Sequence, residues 1–140
     1  FLDTSVLLAA VWSATGGSRQ LLKLGEASAI ALWVSPTVLA EMDAVLTRKS
    51  PGSRPGLAVL LDRSGVQIGP SASPQAQAQA RRLVSYDPDA DIVAEALAAD
   101  ADFLVSLDRQ HLVGPLQDAD LPFRVGTSGD CLAWLRAQWI

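Results

Sequence analysis

Short apolar runs alternate with amphipathic helical stretches along the chain, and this alternation leaves few folds open. Strands joined through helices run parallel, and a parallel sheet needs helices over both of its faces. The strand-like runs end at Asp3 and recur at 29–34, 66–68, 103–106 and 123–125. Helical patterns cover 5–12, 18–26, 36–48, 57–64, the stretch from Pro74 onward, 89–101, a short turn at 110–113, and 128–139. Ser35-Pro36 reads as an N-cap followed by proline in the first turn, where its missing N–H costs nothing. The helix behind it aligns Val38, Leu39, Met42, Val45 and Leu46 in one stripe. At roughly 100° per residue, Glu41 and Asp43 fall at opposite margins of that stripe, and periodicity does not choose between them. Arg48 falls on the Glu41 side, so the two are expected to face one pocket. Two prolines and two glycines between Lys49 and Gly56 read as a loop. The Ala-Gln alternation through Ala80 is read as helix, because both residues form helices well and strands poorly.

A chain of 140 residues, 49% of them apolar, buries one sizeable core, so one domain spanning 1–140 is expected. The single cysteine, Cys131, and the lack of a signal-peptide pattern point to a reducing, cytoplasmic setting. No apolar run approaches the roughly 20 residues that span a bilayer, so no membrane association is expected. The chain opens at Phe1 with its first strand already under way, which implies that a residue or more has been lost from the start. The net charge of −4 argues against a basic coat of the kind that clamps duplex DNA, but not against nucleic acid as such. Of Trp12, Trp33, Trp134 and Trp139, most are expected in the core. Trp139 is expected either to cross a homodimer interface or to hold the last helix down.

Four carboxylates matter more than the total charge. Asp3 and Asp108 each follow a strand, Asp89 or Asp91 stands where a helix begins, and Glu41 lies on a helix. Singly, each has a plain reading as cap, turn or solvated side chain. Jointly, two acids at adjacent strand ends converge with the others on the carboxyl edge of the sheet, where ligands bind. Such a cluster repels itself unless a divalent cation neutralises it. All-oxygen donors select magnesium or manganese over zinc. With one histidine and one cysteine the chain lacks the partners for a zinc site or for Ser-His-Asp and Cys-His catalysis, and His111 is expected at the surface or in packing. No phosphate-cradling glycine fingerprint occurs. A receiver domain would need a late lysine, and none follows Lys49; a haloacid-type phosphatase needs an aspartate at Ser5.

Three blocks carry a family resemblance: Phe1-Leu2-Asp3-Thr4-Ser5-Val6-Leu7-Leu8, Ser35-Pro36-Thr37-Val38-Leu39-Ala40-Glu41, and Asp89 through Asp108 with its Ala-rich helix and Val105-Ser106 before the last acid. They resemble PIN domains, especially the small bacterial members that include VapC-type toxins. The resemblance implies a three-layer α/β/α domain with a parallel sheet of about five strands. It also implies a Mg2+- or Mn2+-dependent endoribonuclease whose acids are Asp3, Glu41, Asp89 and Asp108. Asp89 is chosen over Asp91 because the family's Ala-Leu pair then falls on Ala96 and Leu97, which leaves Asp91 as a spare ligand or a cap. Ser5 and Ser106 are expected to hydrogen-bond the ligands. Single-stranded or looped RNA is the expected substrate, with Arg48, Lys49, Arg54 and Arg109 as phosphate contacts and an antitoxin protein as a further partner. The alternative is a non-catalytic PIN-like module that binds RNA or protein.

Overall fold

The opening residues Phe1-Leu2-Asp3 run through the middle of the strand framework. In the computed structural model, which describes residues 1–139, strand β1 (Trp33–Val34) pairs in parallel with β2 (Gln67–Ile68), and β3 (Phe103–Val105) pairs in parallel with β4 (Arg124–Gly126). Residues 1–3 span the gap between these pairs. The Leu2 N–H donates to Trp33 O at 2.9 Å, Asp3 N–H to Val105 O at 3.0 Å, and Val105 N–H to Phe1 O at 2.9 Å. The architecture is α/β with parallel strands, but the regular ladders form two separate two-stranded pairs. The expected five-stranded sheet is not seen as one continuous ladder. Each strand has only two or three residues, and the segment between the pairs makes an isolated bridge, Leu2 with Val105.

Helices fill the connections, and their starts follow local chemistry. Asp3 caps α1 (Thr4–Trp12), which is followed by α2 (Gly17–Glu26). Ser35 Oγ accepts from Val38 N–H at 3.1 Å at the start of α3 (Pro36–Lys49), and Pro36 takes the first turn. Val38, Met42 and Leu46 of the predicted stripe are buried, with Leu39 and Val45 at its half-buried flanks. The expected loop after α3 is instead a 3-10 turn at Pro51–Ser53 leading directly into α4 (Arg54–Arg63). Pro51 and Pro55 both occupy first-turn positions, where proline starts a helix as readily as it breaks one. Then come α5 (Pro74–Leu83), capped by Ser73, and α6 (Asp87–Ala98). The second strand contracts from the expected 29–34 to its last two residues.

After β3 the chain makes a π-helical turn at Arg109–Val113, then α7 (Gly114–Leu116), β4 and α8 (Ser128–Trp139). Helix α8 starts on a reciprocal cap: Asp130 Oδ2 accepts from Thr127 N–H at 2.9 Å, and Asp130 N–H donates to Thr127 Oγ1 at 3.2 Å. The absent side chain of Gly126 makes room for this, since a Cβ there would lie 2.8 Å from Asp130 Cβ and 3.1 Å from the Phe103 ring.

Leu2, Val34, Leu104 and Val105 from the strands meet Val6, Leu7, Val38, Met42 and Val93 from the helices in one buried cluster. Helix α6 is the most enclosed, with Ala90 and every residue from Ile92 to Ala96 buried; Leu97, expected on its buried side, is half-buried. Helix α1 packs on α2 and α3, α5 on α6, and α8 on α2 and on β3 and β4. The tryptophans depart from expectation. Trp12 and Trp139 are more than half exposed, and Trp33 and Trp134 only half-buried. Trp33 and Trp134 pack against the core from its edge. Among the described residues, no helix is long and apolar enough to cross a membrane.

Candidate active site

Asp3 is set by its own chain. It is buried, takes an extended conformation as the cap of α1, and accepts at Oδ1 from Thr4 N–H at 2.7 Å. Its Oδ2 accepts from Ser5 Oγ at 3.0 Å and from Ser106 Oγ at 2.7 Å. Ser106 follows β3, so the last bond ties the first carboxylate to the end of a neighbouring strand. Ser106 Oγ also accepts from Asp108 N–H at 3.1 Å, and Ser5 Oγ from Leu107 N–H at 3.0 Å. The two serines thus hold Asp3 and fix the turn that presents Asp108.

Asp108 opens the π-helical turn. Its carbonyl accepts from Leu112 N–H and Val113 N–H, and its Oδ1 accepts from His111 N–H at 3.0 Å. The His111 ring Nδ1 lies 3.3 Å from the same carboxylate. Glu41 reaches the cluster from α3, where its Oε2 accepts from Thr4 Oγ1 at 2.6 Å. Asp43, on the opposite margin of the stripe, pairs with Arg54 at 2.7 Å on the exposed surface. Of the two residues that periodicity left open, Glu41 is thus tied to the residue after Asp3, and Asp43 to an arginine of α4.

Asp89 behaves differently from the other three. It lies in the first turn of α6, and its Oδ2 is buried without a hydrogen-bond partner. Burial first, then the charges of Asp108, Asp3 and, more weakly, Glu41, push its carboxyl above the usual range, against an opposing influence from His111. The four acids therefore lie close enough for three of them to disfavour the charge of the fourth. The helix begins at Asp87, two residues before its expected start, because Pro88 takes the first turn. Asp87 is exposed and only 4.0 Å from Arg81 Nε, a weak pair.

Other expected residues sit elsewhere. Asp91 lines a separate groove with Glu95 and Thr37. Arg54 is engaged by Asp43, and Arg48 and Lys49 are exposed at the end of α3, with no ion pair from Arg48 to Glu41 among the described residues. Arg109 is exposed, and its charge acts on Asp130. Two residues that sequence reasoning did not place in the site belong to it. Thr4 holds Glu41; its signal was its position directly after the capping acid. His111 is at the surface, as expected, yet touches Asp108; its signal was the three-residue spacing of a capping turn.

Among the described residues, no three carboxylate, imidazole or thiol side chains are gathered closely enough to enclose an ion as they stand. The donor set nevertheless fits a hard divalent cation, since the clustered donors are carboxylate oxygens and one buried oxygen, Asp89 Oδ2, lacks any partner. No curated protein and no solved structure matches the chain. A family model described as PIN domain matches residues 1–110, which contain all four acids, both serines and the turn up to Arg109. With more than three-quarters of its length matched, the chain belongs to the PIN-domain family.

Proposed function

We propose that this chain is a metal-dependent endoribonuclease in which Asp3, Asp89 and Asp108 hold one or two Mg2+ or Mn2+ ions and Glu41 completes the site. PIN domains are typically nucleases that use divalent ions and act on RNA. The observation that carries the reading is Asp89, which has a buried, unpartnered oxygen and a carboxyl raised by burial and by the charges of Asp108, Asp3 and Glu41. A bound cation supplies a water of lowered pKa and stabilises negative charge on the phosphoryl oxygens. Ser5 and Ser106 keep the Asp3 carboxylate oriented, and Thr4 keeps Glu41 turned toward it. Glu41, whose other oxygen is not committed to Thr4, orients the attacking water. His111 holds the Asp108 carboxylate through its backbone N–H and ring Nδ1.

Single-stranded or looped RNA is the substrate class that fits, because its splayed backbone reaches a recessed acidic site. Arg48, Lys49 and Arg109 are exposed cations available for phosphates. A three-layer domain of the VapC type, acting in the cytoplasm as the toxin of a toxin-antitoxin pair and assembling as a homodimer, is the finer form of this proposal. The test is cleavage of a structured RNA with and without Mg2+. Cleavage that requires the ion and stops on chelation supports the reading. RNA binding without cleavage at any Mg2+ or Mn2+ concentration would replace it with a non-catalytic PIN-like binding module.

A further inference from the structure

We propose a second divalent-cation site in the groove between α3 and α6, built on Glu95 and Asp91 and apart from the four acids. Glu95 is 9% exposed. Its Oε1 accepts from Thr37 Oγ1 at 2.5 Å, and its Oε2 is buried with no partner. It lines a cavity of about 250 Å³ together with Asp91, one helical turn earlier, and with Gln77 and Ser71. No lysine, arginine or histidine lines that cavity. The charges that act on Asp89 are those of Asp3, Glu41, Asp108 and His111, and none of these residues lines the groove.

The chemistry of the groove selects its occupant. Two carboxylates balance one doubly charged ion, and Mg2+ or Mn2+ is bound by one or two carboxylates while keeping several waters. At about 30 Å³ per water, the cavity accommodates an ion with part of its hydration shell. The amide of Gln77 and the hydroxyl of Ser71 are neutral oxygens for those waters. A guanidinium prefers both oxygens of one carboxylate, and Thr37 already occupies one of Glu95's. The groove therefore suits a small hard ion better than an arginine side chain.

Such an ion acts as a brace. Thr37 and Glu41 lie one turn apart on α3, while Glu95 and Asp89 share α6. Fixing the groove fixes the two helices that carry Glu41 and Asp89. The binding itself does not depend on the nuclease reading, so the two fail separately.

The test uses the full chain carrying Asp3→Asn and Asp108→Asn, titrated with Mn2+ and followed by the electron paramagnetic resonance of the free ion and by thermal unfolding. We expect one bound equivalent and a rise in Tm of about 5 °C near saturation. Both are lost when Glu95→Gln is added, with circular dichroism unchanged, and Asp91→Asn weakens binding at least tenfold, on the order of a lost ligand-shell contact. In the chain with its four acids intact, which serves if the double variant does not fold, Glu95→Gln lowers the number of bound Mn2+ by one. Binding that survives Glu95→Gln, an unchanged number of ions in the otherwise intact chain, or a groove that takes an arginine peptide and no Mn2+ would overturn the assignment.

Discussion

Asp3 and Asp89 are the same residue type in one cluster, yet the chain treats them oppositely. Both Asp3 oxygens are claimed, by one backbone N–H and two serine hydroxyls. Asp89 has a buried oxygen with no donor, and burial together with the neighbouring acids raises its affinity for a proton. The helix N-terminus beneath Asp89 favours negative charge, but here it does not outweigh burial and repulsion. The contrast separates two ways of preparing a carboxylate. One is locked into a fixed geometry by protein donors, and the other is left without a donor to its buried oxygen and among like charges.

The contrast breaks first at the cleavage step. Asp89→Asn, Asp3→Asn and Asp108→Asn should each lower Mg2+-dependent RNA cleavage by about a thousandfold or more, equivalent to the several kcal/mol of charge stabilisation that a metal provides. Full activity in any of them, with the fold intact by circular dichroism, would remove that residue from the site. Ser106→Ala tests the locked side. Loss of one donor to Asp3 should cost about 10- to 100-fold in Mn2+ affinity, measured by calorimetry. On the same cleavage assay Asp91→Asn should cost at most a few-fold and Asp87→Asn almost nothing, because neither shares the environment of Asp89; a loss as large as that of Asp89→Asn would reassign the third acid.

Stability sharpens the comparison on the uncompensated side. The carboxyl of folded Asp89 lies above its ordinary value of 3.8, so between 3.8 and the folded value the native state holds more protons than the unfolded one. Native stability therefore falls as pH rises through that window. Asp89→Asn lacks this loss. In metal-free buffer the variant's Tm should match the parent's below pH 4 and exceed it by about a few degrees at pH 7. Adding Mg2+ should close the gap, and a variant less stable than the parent at every pH would show that Asp89 is not repelled. The smallest effect belongs to Arg54→Ala. An exposed pair with Asp43 is worth little, so unfolding in urea should shift by no more than about 0.5 kcal/mol.

The legible parts of the molecule are those fixed by neighbours along the chain. Ser35-Pro36 announced α3, the Val38–Met42–Leu46 stripe announced its buried face, and the run before Ser106 announced β3. Helix α6 starts two residues before Asp89, because Pro88 takes its first turn. Pro51 and Pro55, expected in a loop, start helical turns for the same reason, since proline's meaning depends on which side of a helix start it falls. At the site, the acids were legible as types and positions, but their company was not. Thr4 meeting Glu41 and Ser106 meeting Asp3 join residues 37 and 103 positions apart, and such contacts leave no mark in a single sequence. The placement of Asp91 with Glu95 follows from a groove that α6 shares with α5 and the start of α3, which periodicity on a helix buried nearly all round does not reveal.

The position of residues 1–3 also bears on when the Asp3 carboxylate is fixed in place. Asp3 precedes by 103 positions the Ser106 hydroxyl that orients its carboxylate, and the Val105 carbonyl that anchors its amide is nearly as distant along the chain. During synthesis, while the intervening residues emerge at about 5–20 per second, Asp3 has neither its Val105 strand partner nor its Ser106 donor. A chain stalled before Val105 therefore lacks the bonds that hold Asp3 in place. Chain order thus acts as a timer: the segment that holds Asp3 is fixed between Trp33 and Val105 only after both have followed it out.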